Sequence, residues 1–168
     1  MNLKDLNHCE AKQARIELLK SCGSQQWTEK MLAARPFSSV AQLSTLAEQF
    51  WLSLSKEDYL EAFAAHPKIG DSKPPDKSKN TEIWTSNEQS GMLSADEQTK
   101  LDLITDNQKY EKIFGYIFIV CATGKSAAEM LKFLRFRLKN APDEELKIAA
   151  AEQMKITKLR LNKMLDNN

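Results

Sequence analysis

One of the chain's two histidines, His66, stands immediately before a proline in the stretch Ala65-His66-Pro67-Lys68-Ile69-Gly70. Proline pushes the residue before it out of the helical region, so His66 should end a helix rather than continue one. Gly70 then frees the chain to turn. Imidazole titrates near neutral pH, and a helix C-terminus favours its protonated form by about 0.3–1 kcal/mol, so His66 in that place is a candidate for proton chemistry. Two other side chains suit the same chemistry. Glu88 lies one helical turn after Trp84, and a carboxylate against an indole is partly desolvated, which raises its pKa and suits general acid/base work. Arg160 has Ile156 and Met164 four residues to either side, and a guanidinium so flanked can aim its fork at a carboxylate of the protein or of a ligand. Each also has a plainer explanation. His66 can be a structural cap, Glu88 one of 23 acidic residues on a solvated face, and Arg160 a snorkelling side chain that serves its helix end.

The elements that must position these residues read as helices throughout. Ala11, Ala14, Leu18 and Leu19 recur at helical spacing before Gly23. Ser24 caps a second helix that presents Trp27, Met31 and Leu32 and ends at Pro36. Ser39 opens a third, with a stripe of Val40, Leu43, Ala47, Phe50, Trp51 and Leu54. Ser55-Lys56-Glu57-Asp58 resembles a capping box with Asp in place of Glu, and starts a fourth helix through Tyr59, Leu60 and Phe63 toward His66. Residues 71–80, with Pro74-Pro75 and no apolar residue, read as an exposed loop, and residues 81–91 as helix again, with Thr85, Glu88 and Gln89 on one face. Ser94-Ala95-Asp96-Glu97 reads as another capping box, opening a helix with Leu101, Ile104 and Gln108 near its buried side and extending to Gly115.

The apolar run from Tyr116 to Ala122 is the most strand-like piece, but the sequence supplies no partner strand. It reads as buried helix or a distorted helical segment. If it meets a site, its backbone amides are the polar groups it can offer. Ser126-Ala127-Ala128-Glu129 caps the next helix, with Met130, Leu131, Leu134 and Leu138, and Asn140 and Pro142 close it. A long final helix has acids 143–145 at its positive end and a stripe of Ala149, Gln153, Ile156, Arg160 and Met164. The fold expected is all-α, a single domain over residues 1–168 forming a bundle of about eight helices without a sheet.

Composition narrows the function. With 42% hydrophobic residues in 168, the chain can bury a core without disulfides or metal. Lys+Arg 24 against Asp+Glu 23 gives a net charge of +1, which does not advertise nucleic acid or an anionic membrane. Cys9, Cys22 and Cys121 are odd in number and widely spaced, as suits free thiols in a reducing compartment, and His8-Cys9 lacks the second pair a zinc site needs. No apolar run approaches the roughly 20 residues of a membrane span, the opening residues lack the apolar core of a secretory signal, and the last residues carry no peroxisomal or prenylation motif. A cytoplasmic protein is the expectation.

Across most of its length the sequence resembles the 2-oxo-4-hydroxy-4-carboxy-5-ureidoimidazoline (OHCU) decarboxylases of urate breakdown. The resemblance is carried by Trp27, Arg35-Pro36-Phe37, His66-Pro67-x-Ile69-Gly70, Ser86-x-Glu88-Gln89-x-Gly91, Phe114-Gly115-x-x-Phe118-Ile119, Arg137-Leu138-x-Asn140, and Glu152, Ile156 and Arg160-Leu161, in this order and spacing. It implies an all-helical, cofactor-free lyase that converts OHCU to (S)-allantoin, with a homodimer as the suggested assembly. By the same resemblance His66 matches the catalytic histidine, a proton donor, and Glu88 the catalytic glutamate, which orients the imidazole and destabilises the departing carboxylate. Pro67, the segment Thr85, Ser86, Asn87 and Gln89, and backbone groups of Phe118, Ile119, Val120, Cys121 and Ala122 match substrate-binding positions. Arg160 matches an arginine that binds the ureido or carboxylate end. The chain departs from the family in running directly from Gly91 into Met92-Leu93-Ser94, where an Ala/Gly-rich continuation is common, and in lacking a peroxisomal address or a fused hydroxyisourate hydrolase domain. A free-standing bacterial-type enzyme is expected. The competing readings are a non-catalytic helical module that binds another protein and a related lyase or hydrolase acting on another ureido acid.

Overall fold

Capping side chains set most of the helix starts. The computed structural model describes residues 1–68 and 96–166, which form eight helices and no strand. They are α1 (Leu3–His8), α2 (Ala11–Ser21), α3 (Gln25–Ala33), α4 (Val40–Leu52), α5 (Lys56–Ala64), α6 (Glu97–Phe114), α7 (Ala127–Arg137) and α8 (Pro142–Asp166). The chain divides into two compact units, one of Met1–Ala62 with Gln153–Asn168 and one of Phe63–Glu152, so α5 and α8 each contribute residues to both. The all-α class is as expected. None of the described helices is long and apolar enough to cross a membrane.

In the first unit, α3 begins where Ser24 Oγ accepts from the Trp27 amide, and α4 where Ser39 Oγ accepts from the Gln42 amide at 3.1 Å. The Asp variant of the capping box before α5 forms as read: the Asp58 amide donates to Ser55 Oγ and the Ser55 amide to Asp58 Oδ2 at 3.0 Å. Helix α1 is an addition to the expected elements. Its signal was present, since Asn2 and Asp5 make a reciprocal capping box across the first turn. Asn7 ties α1 to the turn after α3, its side chain donating to the Phe37 carbonyl and accepting from the Phe37 amide. Arg35 Nη1 donates to the Leu6 carbonyl at 2.6 Å.

The core of this unit holds Leu6, Leu18, Trp27, Met31, Leu43, Ala47 and Trp51, joined by Leu161 and Met164 of α8. Trp27 satisfies its indole N–H on the Ala47 carbonyl at 2.9 Å, which lets the largest side chain be buried without an orphan donor. The stripe read on α4 is narrower than expected: Leu43, Ala47 and Trp51 are buried, but Val40 is 42% exposed, because it stands at the first position of the helix.

In the second unit, α6 starts two residues later than the expected cap. Asp96 caps it, its Oδ1 accepting from the Thr99 amide at 2.7 Å, while Ser94 lies outside the described residues, as do the expected loop 71–80 and helix 81–91. The face of α6 also differs from expectation. Leu101 is 57% exposed and Gln108 is exposed, whereas Leu103, Asp106, Asn107 and Tyr110 are buried. Hydropathy periodicity could not find this face, because half of it is polar.

Asp106 explains how a carboxylate is tolerated there. Burial opposes its ionisation, but hydrogen bonds from Lys109 at 2.9 Å and Arg135 at 2.7 Å outweigh that and hold its carboxyl below the usual range. Arg135 also reaches Asp102 at 3.0 Å, joining α7 to α6. A depressed folded-state pKa means the stabilisation is complete above the unfolded value of about 3.9 and fades as pH falls through the folded value. Asp106→Asn should therefore destabilise the protein at pH 7 and 5, and the gap from wild type should close as pH is lowered below about 4. Urea midpoints of both proteins between pH 7 and 3 check this; a gap independent of pH would mean that the Asp106 charge contributes nothing.

Candidate functional site

Helix α5 ends as the His66-Pro67 pair requires. Ala64 is its last residue, the chain bends at His66, and the His66 amide donates to the Phe63 carbonyl at 3.2 Å. His66 and Pro67 are half-buried. The next residue, Lys68, reaches Glu111 of α6 with 2.9 and 3.1 Å bonds to its two carboxylate oxygens, which ties the turn to that helix. One turn before His66, the Phe63 ring lies 5.1 Å from the ring of Tyr116, the first residue of the apolar run. The histidine turn and the run 116–122 are thus parts of the same unit and meet through this aromatic pair.

The run is not helical, contrary to expectation. Gly115, at φ +82°, ends α6 in the left-handed conformation that a Cβ disfavours, and residues 117–122 form neither helix nor strand before Gly124 turns the chain at φ +76°. Five of its residues are nonetheless buried, with Phe118 4% and Ile119 2% exposed, while Val120 and Ala122 are half-buried. Main chain in that position needs partners. Side chains provide some of them: Asn107 Oδ1 accepts from the Phe118 amide at 3.1 Å, Arg137 Nη1 donates to the Ile119 carbonyl at 2.6 Å, and Glu152 Oε2 accepts from the Cys121 amide at 2.8 Å. Lys125 Nζ donates to the Cys121 carbonyl at 2.8 Å.

Arg137 is almost fully buried, and its charge is met by Glu145 in the first turn of α8, to which Nε donates at 2.7 Å. The carboxylate of Glu145 also accepts from the Tyr110 hydroxyl and, at 3.0 Å, from Asn140 Nδ2. Burial first, and then the carboxylate beside it, push the Tyr110 phenol far above its ordinary range, so it remains a donor. The guanidinium stacks 4.6 Å from the Phe118 ring centroid. Asn107 was outside the sequence reading altogether, Arg137 and Glu152 entered it only as letters of a motif, and Asn140 entered as a motif letter and as the close of a helix. Nothing in their spacing assigned them to the apolar run.

The remaining expected residues are placed separately. Arg160 belongs to the first unit, where it is half-buried, its Nη1 3.5 Å from the Lys20 carbonyl. It faces Cys22, whose thiol burial pushes up to about 11, a packed neutral group at physiological pH. Thr85, Ser86, Asn87, Glu88 and Gln89 lie outside the described residues.

The family model for OHCU decarboxylase matches residues 7–162, nearly the whole chain. This chain belongs to the OHCU decarboxylase family. Among its curated relatives is the uric acid degradation bifunctional protein TTL of Arabidopsis thaliana, 37% identical over 147 residues, covering 87% of this chain and 45% of that protein. The 2-oxo-4-hydroxy-4-carboxy-5-ureidoimidazoline decarboxylase of Mus musculus is 28% identical over 131 residues, covering 78% of this chain and 74% of that one. A crystal structure of OHCU decarboxylase in the presence of (S)-allantoin superimposes with a TM-score of 0.78 at 36% identity, over 90% of this chain and 98% of that one. The chain spans 45% of the Arabidopsis relative and 32% of two bifunctional relatives from Bacillus.

The buried Arg137–Glu145 pair that stands out in this family member gives a direct expectation. Glu145→Gln leaves a guanidinium in the interior without its counter-charge, which costs about 3–5 kcal/mol. Equilibrium urea unfolding measures it, and a loss below about 1 kcal/mol would show that Arg137 is neutralised by something other than Glu145.

Proposed function

We propose that this chain is a cofactor-free OHCU decarboxylase that yields (S)-allantoin in urate catabolism. The observation that carries the reading is family membership over residues 7–162, combined with a half-buried histidine held in a bend at a helix end. The relatives that share this match are named for uric acid degradation and for OHCU decarboxylation.

The chemistry is within reach of side chains and main chain alone. When carbon dioxide leaves, its electron pair passes from the ring carbon into the neighbouring C=N bond, giving an enamine-like intermediate. Protonation of the adjacent carbon from one side sets the configuration, and as the ring C=C bond is consumed the hydroxyl on the decarboxylated carbon gives up its proton to the ring nitrogen that took the charge and becomes the carbonyl of the product. The protein's tasks are to hold the carboxylate where it is poorly solvated, to stabilise the oxygen and nitrogen charge that develops, and to deliver one proton to one face.

In this reading His66 is the proton donor, and Pro67 fixes its place at the helix end. Glu88 orients the imidazole and repels the departing carboxylate. Arg160 binds the ureido or carboxylate end. Thr85, Ser86, Asn87 and Gln89 contact substrate, and the main chain from Phe118 to Ala122 supplies N–H donors to its developing oxyanion. Residues 1–168 are taken as a single OHCU decarboxylase-like domain, a reading supported by a family match over residues 7–162. A cytoplasmic site of action fits the three free thiols, and a homodimer follows from the resemblance.

The test generates OHCU in place from urate with the upstream enzymes and follows its decay and the circular dichroism of the allantoin formed. Wild-type protein should accelerate the decay and give the S enantiomer. His66→Ala should lose at least about 10²-fold in kcat with little change in folding, and Glu88→Gln should show a comparable loss. Folded wild-type protein that leaves the spontaneous rate unchanged returns the chain to the protein-binding alternative.

A further inference from the structure

Segment 117–122 is held in an unusual way. A helix or a sheet would satisfy its main chain through repeated backbone bonds, but here separate side chains from α6, α7 and α8 each take one group. Asn107 takes the Phe118 N–H, Arg137 the Ile119 carbonyl, and Glu152 the Cys121 N–H. Beside these fixed points, the amides of Ile119 and Val120, and of Ala122 just beyond the last one, donate no hydrogen bond among the described residues. The pattern leaves N–H donors aimed by their neighbours' bonds, in a part of the unit that is otherwise apolar and that meets the histidine turn through Phe63 and Tyr116.

The two holders nearest these donors are themselves immobilised. Arg137 cannot swing, because Nε is on Glu145, Nη1 is on Ile119, and its guanidinium carbon lies over the Phe118 ring. Glu145 is in turn held by Tyr110 and Asn140. Asn107 is buried one turn before Tyr110 on the same face of α6. A buried ion pair is weak evidence for stability by itself, since apolar residues of the same volume pack as well or better. Its geometry, by contrast, fixes a peptide plane to within the tolerance that oriented donors need.

We infer that Asn107 and Arg137 are positioning residues for substrate, which act by holding the Phe118–Ile119 main chain so that the open amides of Ile119, Val120 and Ala122 point at the anionic oxygens of the bound ureido-imidazoline. Neither side chain touches the ligand. The inference rests on the decarboxylase reading for the identity of that ligand, and on the hydrogen-bond pattern for everything else.

The experiment uses the full chain labelled with 15N, (S)-allantoin as the probe, and the OHCU decay assay. In the wild type, (S)-allantoin should shift the amide resonances of Ile119, Val120 and Ala122. Asn107→Ala removes the acceptor from the Phe118 N–H, and a misaimed donor set should lower kcat/KM by about tenfold or more and abolish those ligand-induced shifts in protein that is still folded. Asn107→Asp, which keeps an acceptor oxygen at the same place, should restore both. Should Asn107→Ala fail to fold, Arg137→Lys gives the same reading, because an ammonium keeps the charge beside Glu145 without the fork that also reaches Ile119. Folded variants with kcat/KM within twofold of wild type and unchanged amide shifts overturn the inference and leave the decarboxylase reading intact. Wild-type protein that shows the allantoin-induced shifts, lost in Asn107→Ala, but no OHCU turnover supports the positioning role and overturns the decarboxylase reading.

Discussion

A cation stays in a protein interior only when its charge and its hydrogen-bonding arms are matched together. Arg137 meets most of that condition: Glu145 answers its charge and takes Nε, Ile119 takes Nη1 and Phe118 covers its face, while Nη2 stands in ion-pair contact with Glu145 but makes no hydrogen bond among the described residues. Three helices and the segment between two of them are committed by this arrangement. Helix α7 supplies the arginine, α8 the carboxylate, α6 the tyrosine that donates to it, and the apolar run the carbonyl. Apolar burial brings these elements together, but it has no direction. The guanidinium supplies direction, and with it a single conformation for a stretch that neither helix nor sheet geometry would specify.

Local rules made most of the architecture readable. Ser24, Ser39, Ser55 with Asp58, and Ser126 with Glu129 mark helix starts by chemistry that acts within four residues, so sequence alone suffices to find them. Gly115 and Gly124 likewise bracket the run 116–122. The failures share a cause. On α6 the buried face contains Asp106 and Asn107, whose partners come from α7 and from the apolar run, and a hydropathy pattern assigns such residues to solvent. The run itself read as buried helix or a distorted helical segment because the sequence supplies no partner strand, whereas its conformation is decided by what its main chain can bond to.

The candidate site was legible to a different degree. His66 stands where the proline rule put it, at the end of a helix, and Lys68 adds a tether to Glu111 that the sequence did not announce. That His66 works with Glu88 and Arg160 is an expectation from resemblance alone, since proximity between residues so far apart in the chain is a property of the tertiary fold. The motif Arg137-Leu138-x-Asn140 shows the limit most clearly. Its letters were recognisable, but their task, to surround Glu145 and reach Ile119, is visible only in three dimensions.

A segment that offers main-chain N–H groups presents the same donor whatever side chain is attached to it. On the proposed reading, Val120 can therefore drift to other small apolar residues over evolutionary time without altering the donor that a ligand would meet there. The residues that hold the peptide planes have no such freedom, although they lie outside the segment. Here the capacity to vary is greatest beside the donors and least at the side chains that stand behind them.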